Sequence, residues 1–288
     1  KAIYNMEPGD VFWAASDVGW VVGHSYIVYA PLLHGCTTVF YEGKPILTPD
    51  AGAFWRVISE HNVRALFSAP TAFRAIKKED PDGVLLKDYD LSCLETVFAA
   101  GERLDPPTYE WMVEKIGRPV IDHWWQTETG WAIAANMVGI EPMPVKPGSA
   151  TVPVPGYDVQ ILDDSGNPLP ANRQGNIAIR LPLPPSCLAT IWGDLDRFKS
   201  GYLETFPGYY VSGDGGYFDD DGYLYLASGD GGKSAYAQVR DTAGNETRTE
   251  RRAFVEDQVM RAQAVGAVAL VDPCAHALGE NRGVGVVG

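Results

Sequence analysis

The chain has 288 residues, 45% of them hydrophobic and 11% aromatic, enough to bury a sizeable core and, by length, to fill about two domains. A net charge of −14 leaves no electrostatic footprint for nucleic acid and would be repelled by an anionic membrane surface, so the acidity reads as solubility. No apolar run approaches the roughly 20 residues of a membrane span, and Cys36, Cys93, Cys187 and Cys274 form no C-x-x-C pair, which argues against a zinc site or disulfide framework and for a reducing compartment.

Lys1-Ala2-Ile3 does not begin a signal peptide and is not preceded by Met, so the chain reads as an internal piece of a longer protein. Val11 to Ala15 reads as a strand and Ser16 to Trp20 as a polar turn. Val21 to Leu33 is mostly apolar and suits a buried helix; His24, alone on that stretch, reads as a core residue. Thr37 to Tyr41 is β-branched and aromatic, hence a strand. Asp50 to His61 carries apolar residues at helical spacing behind a cap at Asp50. Val63 to Phe67 is a strand ending at Ser68-Ala69-Pro70-Thr71, Ala72 to Lys78 a short helix, and Glu79 to Asp90 a charged loop. Thr96 to Ala100 is a strand ending at Gly101-Glu102-Arg103. Pro106 to Ile116 is a helix with Pro at its start. Pro119-Val120-Ile121 is a short buried strand. Strands alternating with helices predict βαβ units and a largely parallel sheet, an α/β fold with flanking helices over residues 1–147.

From about Val145 the texture changes to short alternating strands punctuated by Gly, Pro and Asp, a smaller β-rich subdomain over 148–228. Val159 to Leu162 and Asn176 to Leu181 form one expected hairpin pair. Tyr209-Tyr210-Val211 and Tyr223 to Leu226 form a second, joined around Asp219-Asp220-Asp221-Gly222. Residues 229–288 are rich in Gly, Arg and Ala; only Val265 to Val271 reads as a strand, and no domain is assigned there.

The chemistry gathers at Asp122-His123-Trp124-Trp125-Gln126-Thr127-Glu128-Thr129-Gly130. In open α/β sheets ligands sit just past the carboxyl ends of strands. Thr127 offers a hydroxyl to a phosphate oxygen, Glu128 a hard anionic oxygen of the kind Mg²⁺ accepts beside phosphates, and two tryptophans large, stiff walls. Each residue alone also fits a plain strand end, a turn and two core tryptophans. Together, Trp-Trp-Gln-Thr-Glu-Thr-Gly resembles the adenylate-binding signature of AMP-forming short-chain acyl-CoA synthetases of the acetyl- and propionyl-CoA type, and the resemblance runs from about Asp10 to about Ser228.

That resemblance implies an acid–thiol ligase that joins propionate, or acetate, to coenzyme A through an acyl-adenylate, with ATP and Mg²⁺. Its partners would be small molecules, with neither nucleic acid nor membrane, in the cytoplasm or the mitochondrial matrix. It implies that Gly101, Glu102 and Arg103 run along the adenine, where the family often has Pro in place of Arg103. Asp122 would lie at the adenine edge, with His123, Trp124, Trp125 and Gln126 completing the nucleotide stretch. Thr127 would touch the α-phosphate and Glu128 bind Mg²⁺. Asp214, in Tyr210-Val211-Ser212-Gly213-Asp214, would bridge the ribose hydroxyls. Val21, Val22, Ala100 and Trp125 would line the acyl pocket, and Ala69 would lie against coenzyme A. Ala100 is small where acetate-selective relatives commonly carry Val, and one methylene is worth about 1–3 kcal/mol of discrimination, hence propionate before acetate.

The pattern departs from the family after Leu226: Gly229 stands where a ribose-holding Arg is expected, and neither the upstream glycine-rich phosphate loop nor the late catalytic Lys has a match. The segment alone is therefore expected to be inactive. Two alternatives remain open, a non-catalytic adenylate-binding module and a P-loop NTPase fragment. The second rests on Ala227-Ser228-Gly229-Asp230-Gly231-Gly232-Lys233-Ser234, which comes close to G-x-x-x-x-G-K-[ST] but lacks its first glycine.

Overall fold

The computed structural model describes residues 1–227, together with the backbones of three later strands, 236–240, 246–250 and 285–287. The near-P-loop stretch beyond Ala227, Cys274 and the expected strand Val265 to Val271 lie outside the described residues. The chain divides into two compact units, Lys1–Ser228 with Arg282–Gly288, and Gly229–Asn281. In the second, β13 (Tyr236–Arg240) and β14 (Glu246–Glu250) form an antiparallel pair.

The first unit is built on the parallel sheet that the alternation predicts. β1 (Val11–Ala15), β2 (Thr37–Phe40), β3 (Val63–Ser68), β4 (Thr96–Ala99) and β5 (Val120–Asp122) pair in parallel in the order β2-β1-β3-β4-β5, and β15 (Gly285–Val287) adds antiparallel beyond β2. The strands are apolar on both faces, as a sheet covered on both sides requires. Trp13, Leu66, Val97, Ala99 and Val120 face one core with Phe54, Phe73 and Trp111, which come from α2 (Ala53–His61), α3 (Pro70–Glu79) and α4 (Pro106–Ile116). Their strand neighbours Phe12, Ala14, Ala65, Phe67, Phe98 and Ile121 face the other core, with Tyr4, Tyr26 and Trp124. Full burial of one such side chain is worth about 1.5–3 kcal/mol.

Several expectations need correction in detail. Val21 to Leu33 is not a buried helix: it is a π-helical stretch, Gly23–Tyr29, running into α1 (Ala30–Leu33), and Val28, Tyr29, Leu32 and Leu33 are exposed. His24 is exposed as well and lies tilted against Tyr29, so it is no core residue. The cap of α2 is Gly52; Asp50, two residues before that cap, instead accepts a hydrogen bond from the Gly52 backbone N–H at 2.8 Å. The helix after β3 begins at Pro70 and runs to Glu79, and the charged loop after it contains a 3₁₀ turn, Leu85–Asp88.

The remaining strands of the first unit lie in two antiparallel sheets. One joins β6 (Trp124–Trp125), β7 (Ala132–Ala135) and β8 (Val152–Pro153). The other has the order β12-β11-β10-β9, with β9 (Val159–Leu162), β10 (Gly175–Arg180), β11 (Tyr209–Phe218) and β12 (Leu224–Leu226). The first hairpin, β9 with β10, forms as expected. In the second the pairing differs: Tyr209, Tyr210 and Val211 pair with Arg180, Ile179 and Ala178 of β10, and β12 pairs with Gly216, Tyr217 and Phe218. β11 runs on through Ser212-Gly213-Asp214, glycine-rich residues of low strand propensity, and so serves both partners.

Candidate nucleotide site at the carboxyl edge of the sheet

Ser68 pairs with Ala99 and Ala99 with Asp122, so β3, β4 and β5 end side by side. Three segments therefore leave one edge together: Ala69 with the start of α3, Ala100-Gly101-Glu102-Arg103, and His123 to Gly130. Gly101 (φ 98°) and Gly130 (φ 62°) take left-handed backbone conformations that glycine tolerates best.

The loop after β4 is anchored at its acid. Glu102 accepts hydrogen bonds from the Thr71 backbone N–H, at 2.8 Å, and from the Thr71 hydroxyl, and it pairs with Arg74. Arg74 also reaches Asp105 at 3.1 Å, and Asp105 caps α4 by accepting from the Thr108 N–H at 2.9 Å. The Glu102 carboxylate thus ties the loops after β3 and β4 together; Arg103 and Ala69 are exposed beside it.

Asp122 and His123 are buried, 8% and 2% exposed. Burial pushes the Asp122 carboxyl up to about 8, against backbone N–H groups of Leu104 and His123 and the nearby Arg103 charge, all of which favour the anion. Burial thus favours its protonated form. Burial pushes His123 down to about 4. Its Nδ1–H donates to the Ala99 carbonyl and its Nε2 accepts from the Tyr4 hydroxyl, each at 2.8 Å, a neutral ring fixed in one tautomer.

The turn after β6 is held from inside. The Thr129 hydroxyl, fully buried, accepts from the Gln126 N–H at 3.1 Å and bonds the carbonyl of Trp131 at 2.8 Å. Gln126 reaches across to β11: its Nε2 donates to Asp214 Oδ2 at 2.7 Å and to the Ser212 carbonyl at 2.8 Å, and its Oε1 accepts from the Tyr210 hydroxyl at 2.8 Å. Burial first, and the Glu128 charge after it, raise the Tyr210 hydroxyl above its ordinary value and keep it a donor. Thr127 is exposed and Glu128 half-buried at the head of the turn. Glu128 Oε1 accepts from the Tyr202 hydroxyl at 2.9 Å. The Gln126–Asp214 bond thus joins the Gln126-Thr127-Glu128 turn to a residue 88 positions further along the chain.

The family described as AMP-binding enzyme matches residues 1–185. The chain belongs to this family. It is 55% identical over 271 residues to an uncharacterized protein of Pseudomonas aeruginosa, covering 94% of this chain and 42% of that protein. It is 55% identical over 229 residues to acyl-CoA synthetase short-chain family member 3, mitochondrial, of Homo sapiens, covering 79% of this chain and 33% of that one. To the propionate–CoA ligase of Salmonella typhimurium it is 46% identical over 226 residues, covering 78% and 36%. The chain thus spans well under half the length of these relatives.

Of the residues expected at the acyl end of this AMP-binding chain, Val22 and Ala100 are buried in one core cluster with Trp125 packed against it, whereas Val21 is half-buried and outside that cluster. Sequence reasoning missed Tyr26, whose ring meets Trp125 edge-on at 5.1 Å and stacks on Trp131 at 6.4 Å; its position four residues after Val22, about one helical turn on, was the available signal. It also missed Arg74, Thr129 and Tyr202. For Tyr202 no local signal existed, since 74 residues separate it from Glu128.

Proposed function

We propose that the protein carrying this chain is an AMP-forming acid–thiol ligase that joins a short carboxylate, propionate before acetate, to coenzyme A through an acyl-adenylate. What supports this above all is the bridge from Gln126 to Asp214, which ties the turn that carries a hydroxyl and a carboxylate, Thr127 and Glu128, to a second carboxylate. In this reading Asp214 accepts both ribose hydroxyls, Thr127 meets the α-phosphate, and protonated Asp122 stands behind the Gly101-Glu102-Arg103 loop along the adenine. His123, Trp124 and Trp125 support the wall; Ala69 lies toward coenzyme A. Val21, Val22, Ala100 and Trp125 bound the acyl group.

The residues fit a magnesium ion. Glu128 is a hard oxygen donor with acceptor capacity beyond the Tyr202 bond, and Mg²⁺ takes one or two carboxylates together with substrate phosphates. Among the described residues no group of three His, Cys, Asp or Glu forms an all-protein cage, so Glu128 would hold the ion with phosphate oxygens. When bound, it would neutralise charge developing at the α-phosphate. The chain's own residues orient the acid carboxylate against that phosphorus and keep water from it.

The proposed partners are small molecules, as for the family. No described helix is long and apolar enough to cross a membrane. Cys36, Cys93 and Cys187 are free thiols, which supports the cytoplasm or the mitochondrial matrix. The assay is thioester formation by the full-length protein with ATP, Mg²⁺, propionate and coenzyme A. Product should appear, and Glu128→Ala or Asp214→Ala should each lower the rate by about 10²–10³; unchanged rates in both variants would remove the reading.

A further inference from the structure

α5 (Leu195–Tyr202) buries none of its own residues, yet its last side chain reaches the site. The Tyr202 ring lies flat on Tyr210, with centroids 5.5 Å apart and planes 6° from parallel. From that stack the Tyr202 hydroxyl donates to Glu128 Oε1 at 2.9 Å. Tyr210 in turn donates to Gln126, and Gln126 to Asp214, each within 2.8 Å. Glu128 and Asp214 are therefore joined through Tyr202, Tyr210 and Gln126, which come from α5, β11 and the turn after β6.

We propose that Tyr202 is a positioning residue for Glu128, fixing the carboxylate so that it meets a divalent cation beside bound phosphate; this rests on the role given to Glu128 above. A free Glu side chain at a turn loses rotamer freedom when it is ordered. The hydroxyl bears part of that ordering before any ligand arrives. The choice of group matters. A Lys or Arg in the same place would neutralise the carboxylate and compete with the cation. A neutral hydroxyl occupies one of about four lone-pair sites on the carboxylate and leaves the negative charge and the Oε2 face available. The stack on Tyr210 adds rigidity, because the Tyr202 ring is held at its face as well as at its hydroxyl. Hydrogen-bonding partners of metal-binding carboxylates of this kind typically carry about 10- to 100-fold in metal affinity.

The test uses Mn²⁺ as the probe, with free ion measured by electron paramagnetic resonance in the presence of ATP, on the full-length protein and its Tyr202→Phe and Glu128→Gln variants. AMP affinity is measured in parallel by calorimetry with EDTA present, and thermal midpoints are recorded. Phe keeps the ring stack and removes only the hydroxyl. The expected result is about tenfold weaker Mn²⁺ binding in Tyr202→Phe, a larger loss in Glu128→Gln, and unchanged metal-free AMP affinity and midpoint in Tyr202→Phe. Wild-type Mn²⁺ affinity in Tyr202→Phe alongside a loss in Glu128→Gln overturns the positioning role and leaves the Glu128 assignment standing. Wild-type affinity in both variants overturns the Glu128 assignment and this inference with it. A Tyr202→Phe protein that loses midpoint and metal-free AMP affinity together shows that the ring acts, not the hydroxyl, and also overturns the proposal.

Discussion

Ala100 is 3% exposed, shares a core cluster with Val22, and Trp125 packs against that cluster. Ala100→Val would place two methyl carbons in the space assigned to the end of the acid. On the scale of 1–3 kcal/mol per methylene, kcat/KM for propionate relative to acetate should fall about tenfold or more. An unchanged ratio would remove Ala100 from the pocket. His123 makes a second prediction, one about stability. Its folded value, about 4, lies below the ordinary 6.5, so folding favours the neutral ring. That contribution is complete above about 6.5 and is lost as the pH falls through about 4, on the order of 3 kcal/mol in all. Urea midpoints of the wild type and of His123→Gln at pH 7 and pH 4.5 should converge on acidification. A constant gap would mean that His123 does not titrate as its burial implies.

The π-helical stretch Gly23–Tyr29 begins where the acyl pocket is assigned, and it begins at a glycine for a steric reason. A Cβ on Gly23 would collide with the Val18 backbone, which carries no flexible side-chain end to move aside. Gly23→Ala should cost about 1–3 kcal/mol, as overpacking does, read as a lower denaturation midpoint; a midpoint equal to wild type would mean the stretch can shift. Helical periodicity cannot distinguish a π-helix from an α-helix over seven residues, which is why the sequence shows a helix there and not its kind. The parallel sheet was legible because its strands are short apolar runs alternating with helical segments, and α4 matched Pro106–Ile116 because Pro and Gly117 mark its ends. β7 was not legible: Ala132–Ala135 is fully buried yet carries alanines, which strands disfavour. The pairing of Tyr209–Val211 with β10 was missed because Ser212-Gly213-Asp214 looks like a turn and is a strand interior. The motif residues Gln126, Thr127, Glu128 and Asp214 were legible one by one; the contacts that join them, through Tyr210 and Tyr202, are long-range and leave no mark on spacing.

For the molecule as a whole, charge and site pull in opposite directions. In the proposed reaction a chain of net charge −14 takes up ATP, a carboxylate and coenzyme A, all anions, so selectivity would come from local donors and a cation and not from long-range steering. The described edge supplies Arg103, the Thr127 hydroxyl and Glu128, the carboxylate proposed to hold the cation. The chain covers 42%, 33% and 36% of the three relatives' lengths, and the activity proposed is that of the whole protein. The central claim is that the sheet edge makes an acyl-adenylate. It is tested most directly by acid-dependent exchange of labelled pyrophosphate into ATP, with the full-length protein, Mg²⁺ and no coenzyme A. The account predicts exchange with propionate, slower exchange with acetate, and loss of about 10²–10³ on Glu128→Ala. Exchange that proceeds without any acid, or no exchange with either acid under conditions where ATP binds, would contradict it.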